Sequence, residues 1–257
     1  MRRTSSGLTV IKTARDVRLF RADRERILIV SCDSSGGIGP KRFDKVKVNG
    51  RTVGRFAARV ALMEALSVGA RPICIVNTLA VEPEPTGREI VRGIRAEVRR
   101  AQLDRRLVIA GSTEKNVLVS QTGVGITVVG IATARLLRIG RSELGDAVVA
   151  IGKPSVREEV ILGEKEHKIA DTRDVVRLLD LPFTHDIIPV GSQGILHEAQ
   201  TIAQDSGLRF RLKPRVGVDV RKSAGPATVL LCTCRHPDTK ALLRSIKKPA
   251  YLIGTLS

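Results

Sequence analysis

Residues 26–32, RILIVSC, form an apolar run of strand length that ends on Asp33 and opens at once into Ser-Ser-Gly-Gly-Ile-Gly39. A buried strand that stops on a carboxylate and a glycine-rich turn narrows what can follow it. The chain must reverse there, and the glycines let backbone N–H groups approach an anion closely. Lys41 closes the segment SCDSSGGIGPK. The carboxylate can hold Mg²⁺ and the lysine can neutralise phosphate, although a glycine-rich turn after a strand is as readily a plain structural device.

The flanking segments frame this loop. Residues 51–68 carry apolar side chains at helical spacing, with Gly69 as the C-cap and Pro72 beyond it. Residues 73–80 predict a strand, Pro83, Pro85 and Gly87 a loop, and residues 86–103 a charged amphipathic helix with Thr86 as N-cap. Strands follow at 107–111 and 122–134. The order β-α-β-α-β-β predicts a mixed α+β unit. The pattern resets around Ile139–Gly145, which divides the chain into 1–142 and 143–257. The second part predicts a strand in LGDAVVAIG and helices at 155–163, 171–180, 195–206 and 237–246. Further strands are predicted at 208–212 and 227–234.

Two other places carry chemistry. Glu64 stands in the apolar helix ARVALMEALSVGA, where an unpaired buried carboxylate is costly. It must be paired, exposed or metal-bound, and Arg59 and Arg71 are candidate partners. AGSTEKN at 110–116 ends a strand in a small-residue turn with Ser112, Thr113 and Glu114. Carboxylates and hydroxyls of this kind suit an oxygen-ligand magnesium site that also takes substrate phosphates. A Walker loop is absent: AVVAIGKP at 147–154 lacks the first glycine and has Pro154 where Ser or Thr is required. Gly123, Gly125 and Gly130 do not have dinucleotide-fingerprint spacing. His185 and His197 are available as bases, but a lone histidine is more often structural.

Composition excludes several classes. The net charge is +18, with 44 Lys and Arg against 26 Asp and Glu, which suits an anionic partner. The positive charges are dispersed through helices and aromatics make up only 2%, so a base-stacking nucleic-acid platform is disfavoured. Cys32 and Cys74 lie in apolar runs as small hydrophobes, and Cys232 and Cys234 alternate on one face of VLLCTC. With no apolar leader and no stretch near the ~20 residues of a membrane helix, a cytoplasmic protein is expected.

Taken in order, these motifs resemble the aminoimidazole ribonucleotide synthase superfamily, which includes thiamine-monophosphate kinase and selenophosphate synthetase. CDSSGGIGPK is similar to its T-D-G-V-G-T-K loop. ALMEALSVGARP is similar to its helix ending N/S-D-x-x-x-x-G-A-x-P, with Glu64 in place of Asp. AGSTE is similar to its G-G-D/E-T turn, with Ser112 at the acidic position. ARDVRLF resembles G-D-D-A-A-V and adds Asp16. GDAVVAIG resembles the strand opening the C-terminal domain, PVGSQGILHEAQ the helix start I-S-D-G-L-x-x-D-L, and YLIGTL the closing I-G-x-V/I motif.

The resemblance implies an N-terminal ATP–magnesium domain that pairs its mixed sheet with a twin across a homodimer, and an α/β C-terminal domain that covers the acceptor. It assigns Asp16, Asp33, Glu64 and Glu114 to Mg²⁺. Gly36, Gly37, Gly39, Lys41, Ser112 and Thr113 would face the phosphates of ATP, and Ser192, Gln193 and Gly194 the acceptor. CDSSGGIG, NTLAVEPEPTG and GSTEKN resemble the α-ribazole kinase branch, which implies phosphorylation of the riboside 5′-hydroxyl in salvage of the cobalamin lower ligand. Gln193 replaces the acidic residue of S-D-G, which suits a neutral riboside better than a phosphorylated acceptor. Another ATP-using enzyme of the superfamily and a non-catalytic nucleotide- or RNA-binding module are the rival readings.

Overall fold

The computed structural model describes residues 9–103 and 106–257. The chain opens on a hairpin, β1 (Thr9–Ala14) and β2 (Val17–Arg21), followed by β3 (Arg26–Gly36). Two short strands, β4 (Ile38–Gly39) and β5 (Val46–Lys47), pair in parallel after it. Next come α1 (Gly50–Ser67), β6 (Arg71–Leu79), α2 (Arg88–Arg100), β7 (Val108–Thr113) and β8 (Gly123–Thr133). The six long strands form one sheet in the order β1-β2-β3-β8-β6-β7, antiparallel except for the β6–β7 pair.

The glycine-rich segment departs from its expected form. β3 does not stop at Cys32 but pairs with β8 along its whole length, from Arg26 opposite Thr133 to Gly36 opposite Gly123. Asp33 through Gly36 are therefore extended strand, and the reversal begins at Gly37, whose φ is +69°. A continuous partner overrides the local turn preference of Asp, Ser and Gly, because strand formation follows context more than intrinsic propensity.

Helix α1 forms where its pattern predicts. The Asn49 side chain accepts the Thr52 N–H at 2.8 Å, and beyond the last turn the Ala70 N–H returns to the Ala65 carbonyl at 3.1 Å. It packs on α2 with backbones in near contact. A Cβ on Gly54 would sit 2.0 Å from the Ile90 carbonyl oxygen, and one on Gly93 2.1 Å from that of Arg51. Thr86 does not cap α2. It belongs to the turn Pro83–Gly87, where its hydroxyl bonds Glu82, and the helix starts at Arg88.

The second part contains β9 (Ala147–Ile151), α3 (Glu158–Lys165), α4 (Thr172–Leu179), β10 (Thr184–Pro189) and α5 (Gly194–Asp205). It ends with β11 (Phe210–Leu212), β12 (Leu230–Cys234), α6 (Thr239–Ser245) and β13 (Ala250–Leu256). Its sheet runs β10-β12-β9-β13-β11 with every pair antiparallel. The α/β domain that the resemblance implies here is built on an antiparallel sheet, since β12 and β13 flank β9 and both run against it. The central strands β9 and β12 are buried throughout.

One apolar core runs from the first sheet through α1 to α4, β9, β10 and β12. Charged contacts reinforce this junction. Arg59 of α1, fully buried, donates to Glu97 of α2 at 3.1 Å and to Glu164 of α3 at 2.7 Å, and stacks on Phe56. Arg100 contacts both Glu164 and Asp171. Arg15, with a side chain 1% exposed, bonds the Ile187 carbonyl, Asp186 and Asp205. It thereby ties the β1–β2 turn to β10 and α5. Cys32 and Cys74, expected to pack as small hydrophobes, are exposed and half-buried respectively, whereas Cys232 and Cys234 of β12 are both buried. Cys32 and Cys74 project from a sheet face that no helix covers among the described residues. Among the described residues, no helix is long and apolar enough to cross a membrane.

Candidate functional site

A cavity of about 430 Å³ opens where β3, α1 and the start of α3 meet. Asp33 through Gly36 form one wall. Val46, Val48, Val53, Phe56, Ala57, Val160 and Ile161 give an apolar lining, and Arg157, Gly225 and Pro226 stand on the far side. The volume is in the usual range for small-molecule sites, which are mostly apolar with a few placed polar groups. The motifs pointed to the β3 wall. They did not point to Phe56, Arg157 or Gly225-Pro226, which local sequence marks only as a core aromatic and two loops.

Asp33 also belongs to a second grouping. Burial pushes its carboxyl up to about 6, against the pull of the Ser34 N–H, and the Asp16 charge pushes it further. Glu64, 6% exposed in the middle of α1, is held well above the ordinary range by burial, then by Asp16 and Glu198 and, more weakly, by Asp33. Glu198 of α5 is pushed up to about 7 by burial and by Asp16, while the Gly191 N–H and Arg15 pull the other way. Asp16, Asp33 and Glu198, from the β1–β2 turn, β3 and α5, thus all lie within electrostatic reach of Glu64 on α1. Arg59 does not neutralise Glu64, since its guanidinium is given to Glu97 and Glu164. Arg71, the other proposed partner, begins β6 exposed to solvent.

Mutual repulsion and burial, offset only in part by the Arg15 charge, suit a site prepared for a cation. The donor set is all oxygen, which suits Mg²⁺. Among the described residues no three such groups are gathered closely enough to hold a metal unaided. That is compatible with magnesium, which keeps several waters and is commonly held by one or two carboxylates together with substrate phosphates.

The remaining predicted residues lie as follows. Gly36 lines the cavity; Gly37 follows it, and its N–H is bound by the Thr122 carbonyl. Gly39 packs inward, where a Cβ would meet Thr122 Oγ1 at 2.3 Å and Asp44 Oδ2 at 2.8 Å, so its smallness serves the loop. Lys41 pairs with Glu82. Ser112 and Thr113 line a separate cleft of about 300 Å³ with Asn77, Arg95 and Lys115. Glu114 lies past the end of β7, its carboxylate accepting the Asn116 and Val117 N–H groups, which lower its pKa. It does not join the other acids. Ser192 and Gln193 are exposed at the start of α5, Gln193 making no capping bond. Gly194, at φ +82°, is pressed against the Arg221 and Lys222 carbonyls.

Among the acids near Glu64, Glu198 is the one that sequence reasoning missed. It lies four residues after Gly194, one helical turn on, where the I-S-D-G-L-x-x-D-L comparison also has an acid. Neither histidine enters the site: His185 bonds Asp146 at 2.6 Å and His197 is exposed.

Residues 14–132 match the family described as AIR synthase related protein, N-terminal domain. No curated protein matches the sequence. In fold the chain is similar to hydrogenase maturation protein HypE in complex with ATP, at 17% identity over 89% of this chain and 76% of that one, TM-score 0.63. It is similar to thiamine-monophosphate kinase from Stenotrophomonas maltophilia, at 16% identity over 99% and 90%, TM-score 0.62. A third similar structure is a ThiL complexed with AMPPCP and TMP, at 15% identity over 94% and 84%, TM-score 0.61. At these identities the likeness is one of fold. With the N-terminal match, it supports the superfamily that the motifs resemble.

Proposed function

We propose that this chain is an ATP-dependent phosphotransferase acting on a small-molecule alcohol. The observation that carries the reading is the double membership of Asp33, which lines the 430 Å³ cavity and also faces Asp16 and Glu64. A site for a nucleotide-sized ligand and a site for a divalent cation therefore share one carboxylate. The similar folds include a protein named as a thiamine-monophosphate kinase and others complexed with ATP or AMPPCP, which supports ATP as the donor.

In this reading the apolar lining around Phe56 receives the uncharged part of a ligand, and the β3 wall borders its phosphates. Arg157 supplies positive charge at the opposite side. Asp16, Asp33, Glu64 and Glu198 would hold Mg²⁺, with Glu198 taking the place assigned to Glu114. Bound magnesium would neutralise charge on the phosphates, and positioning together with charge neutralisation accounts for most of the catalysis such a transfer needs. The setting is the cytoplasm, where thiols such as the exposed Cys32 remain reduced.

For the acceptor we favour the riboside α-ribazole, phosphorylated on its 5′-hydroxyl. The branch-like phrases support this, as does Gln193, a neutral amide able to donate and accept hydrogen bonds at the α5 N-terminus. Purified chain with ATP and Mg²⁺ is expected to consume ATP with α-ribazole and not with thiamine monophosphate. Sites that hydrogen-bond a hydroxyl can discriminate by up to ~10⁴-fold. Equal turnover of the two would overturn this acceptor, and turnover of neither would send the search to other alcohols.

The homodimer is part of the same proposal. The sheet face opposite α1 and α2 leaves Cys32, Ser34, Thr78, Ala110 and Ser112 exposed, and the edge strand β7 has Val108 56% exposed. An open edge and a bare face call for cover, which a second copy gives. Light scattering at micromolar concentration is expected to return twice the chain mass of 27.9 kDa; a monomer would contradict the pairing.

A further inference from the structure

On the other side of the ion-pair junction lies a further concave site, independent of the phosphotransferase reading. A cleft of about 410 Å³ is lined by His167, Arg173, Asp174, Arg177, Lys247 and Lys248. Arg173 and Arg177 are four residues apart on α4 and so share a face. Lys247 and Lys248 come from the segment between α6 and β13, and His167 from the turn after α3. The Arg177 side chain is fixed along the wall by a 2.8 Å bond to the Ser245 carbonyl.

The charges in this cleft do not balance. Lys248 has a side chain only 9% exposed, and the carboxylate nearest its ammonium, Asp171, is 3.6 Å away, beyond hydrogen-bond length. Asp171 is already engaged by Arg173 at 2.8 Å and Arg100 at 3.2 Å. Asp174 is committed to the Asp171 N–H as half of the α4 capping box. Among the described residues no carboxylate lies within ion-pair distance of Arg177 or Lys247. A nearly buried ammonium with three donors, beside two guanidinium groups and a second lysine, has only the shared, longer ion pair to Asp171 and no hydrogen-bonded anion among the described residues.

We infer that this cleft binds a dianionic phosphate group, either inorganic phosphate or the phosphate of a phosphomonoester. Guanidinium forks match phosphate oxygens bidentately, and lysine adds a point charge. No Phe, Tyr or Trp lines the cleft, and its side chains are mostly cationic, so its lining is suited to a phosphate group more than to a nucleobase. It shares no lining residue with the cavity at β3.

The test is isothermal titration of the full chain, without ATP or Mg²⁺, with sodium phosphate and separately with glycerol 3-phosphate, at ionic strength held constant with NaCl. One saturable site per chain is expected. Lys247→Glu, at an exposed position, and Lys248→Gln are each expected to weaken it by about 10-fold or more, the worth of one charge-assisted contact. Arg157→Gln, at the other cavity, is expected to leave it unchanged. Equal affinities would identify the phosphate group alone as the ligand, and tighter binding of the ester a phosphomonoester. Absence of saturable binding in the parent chain would overturn the site. So would unchanged affinity in both lysine variants, or loss of binding only in Arg157→Gln.

Discussion

Replacing Glu97 with alanine is expected to lower the unfolding free energy by about 3–5 kcal/mol, the usual cost of stranding one member of a buried ion pair. Glu97 and Arg59 are both fully buried, and Glu97 accepts from Arg59 at 3.1 Å and from the Thr172 hydroxyl at 3.0 Å. Burial works against the Arg59 charge, and Glu97 and Glu164 hold it protonated all the same. Its Nη1 already lacks a partner. Without Glu97 the guanidinium would keep only Glu164, and Thr172 would lose its acceptor. The midpoint of a urea transition would report the loss. The double variant Arg59→Met/Glu97→Leu should recover much of it, because both charges then leave together while Glu164 retains Arg55 and Arg100. A Glu97→Ala chain within about 1 kcal/mol of the parent would show that the junction is held by apolar packing alone.

That junction could not be read from the sequence, whereas the elements on either side of it could. Periodicity and caps placed α1 to within a residue, because an 18-residue helix with Gly69 beyond its end satisfies every local signal at once. The strands β6 and β8 were legible for the same reason. The β1–β2 hairpin, β10 and β13 were not read as strands. THDIIP is short and closes on proline, AYLIGTL is broken by Gly254, and the charges of VRLFR mask its alternation. Asp33–Gly36 carried turn residues but became strand through the ladder with β8. In the site, the isolated acid in an apolar helix identified Glu64 as unusual. The partners first considered for it were near neighbours in the chain. Those it faces come from β1–β2, β3 and α5, and only the fold brings these together. Glu198 escaped because ILHEAQ is an ordinary amphipathic phrase, and the charges that act on it, Asp16 and Arg15, sit in a turn at the far end of the chain.

The same grouping yields the other large effect. Asp33→Asn and Glu64→Gln are each expected to cut ATP turnover by at least ~10²-fold, in line with losing one preorganised electrostatic contact to the transition state. For Glu64→Gln stability should move in the opposite direction. Its folded pKa is raised by burial and by neighbouring carboxylates, so its contribution is fully present below the unfolded value of 4.5 and is lost as pH rises through the folded one. At neutral pH the metal-free protein therefore carries a penalty there that glutamine, isosteric and uncharged, removes. The variant is expected to unfold at a urea midpoint no lower than the parent's while turning over poorly, the pattern of a site that trades stability for function. Glu97→Ala should show the reverse, a protein weakened in fold whose four site carboxylates are all retained. Near-parent turnover in both Asp33→Asn and Glu64→Gln would remove these residues from the chemistry. Loss of stability in Glu64→Gln would mean that the buried carboxylate is paired after all, and that α1 carries it for structure.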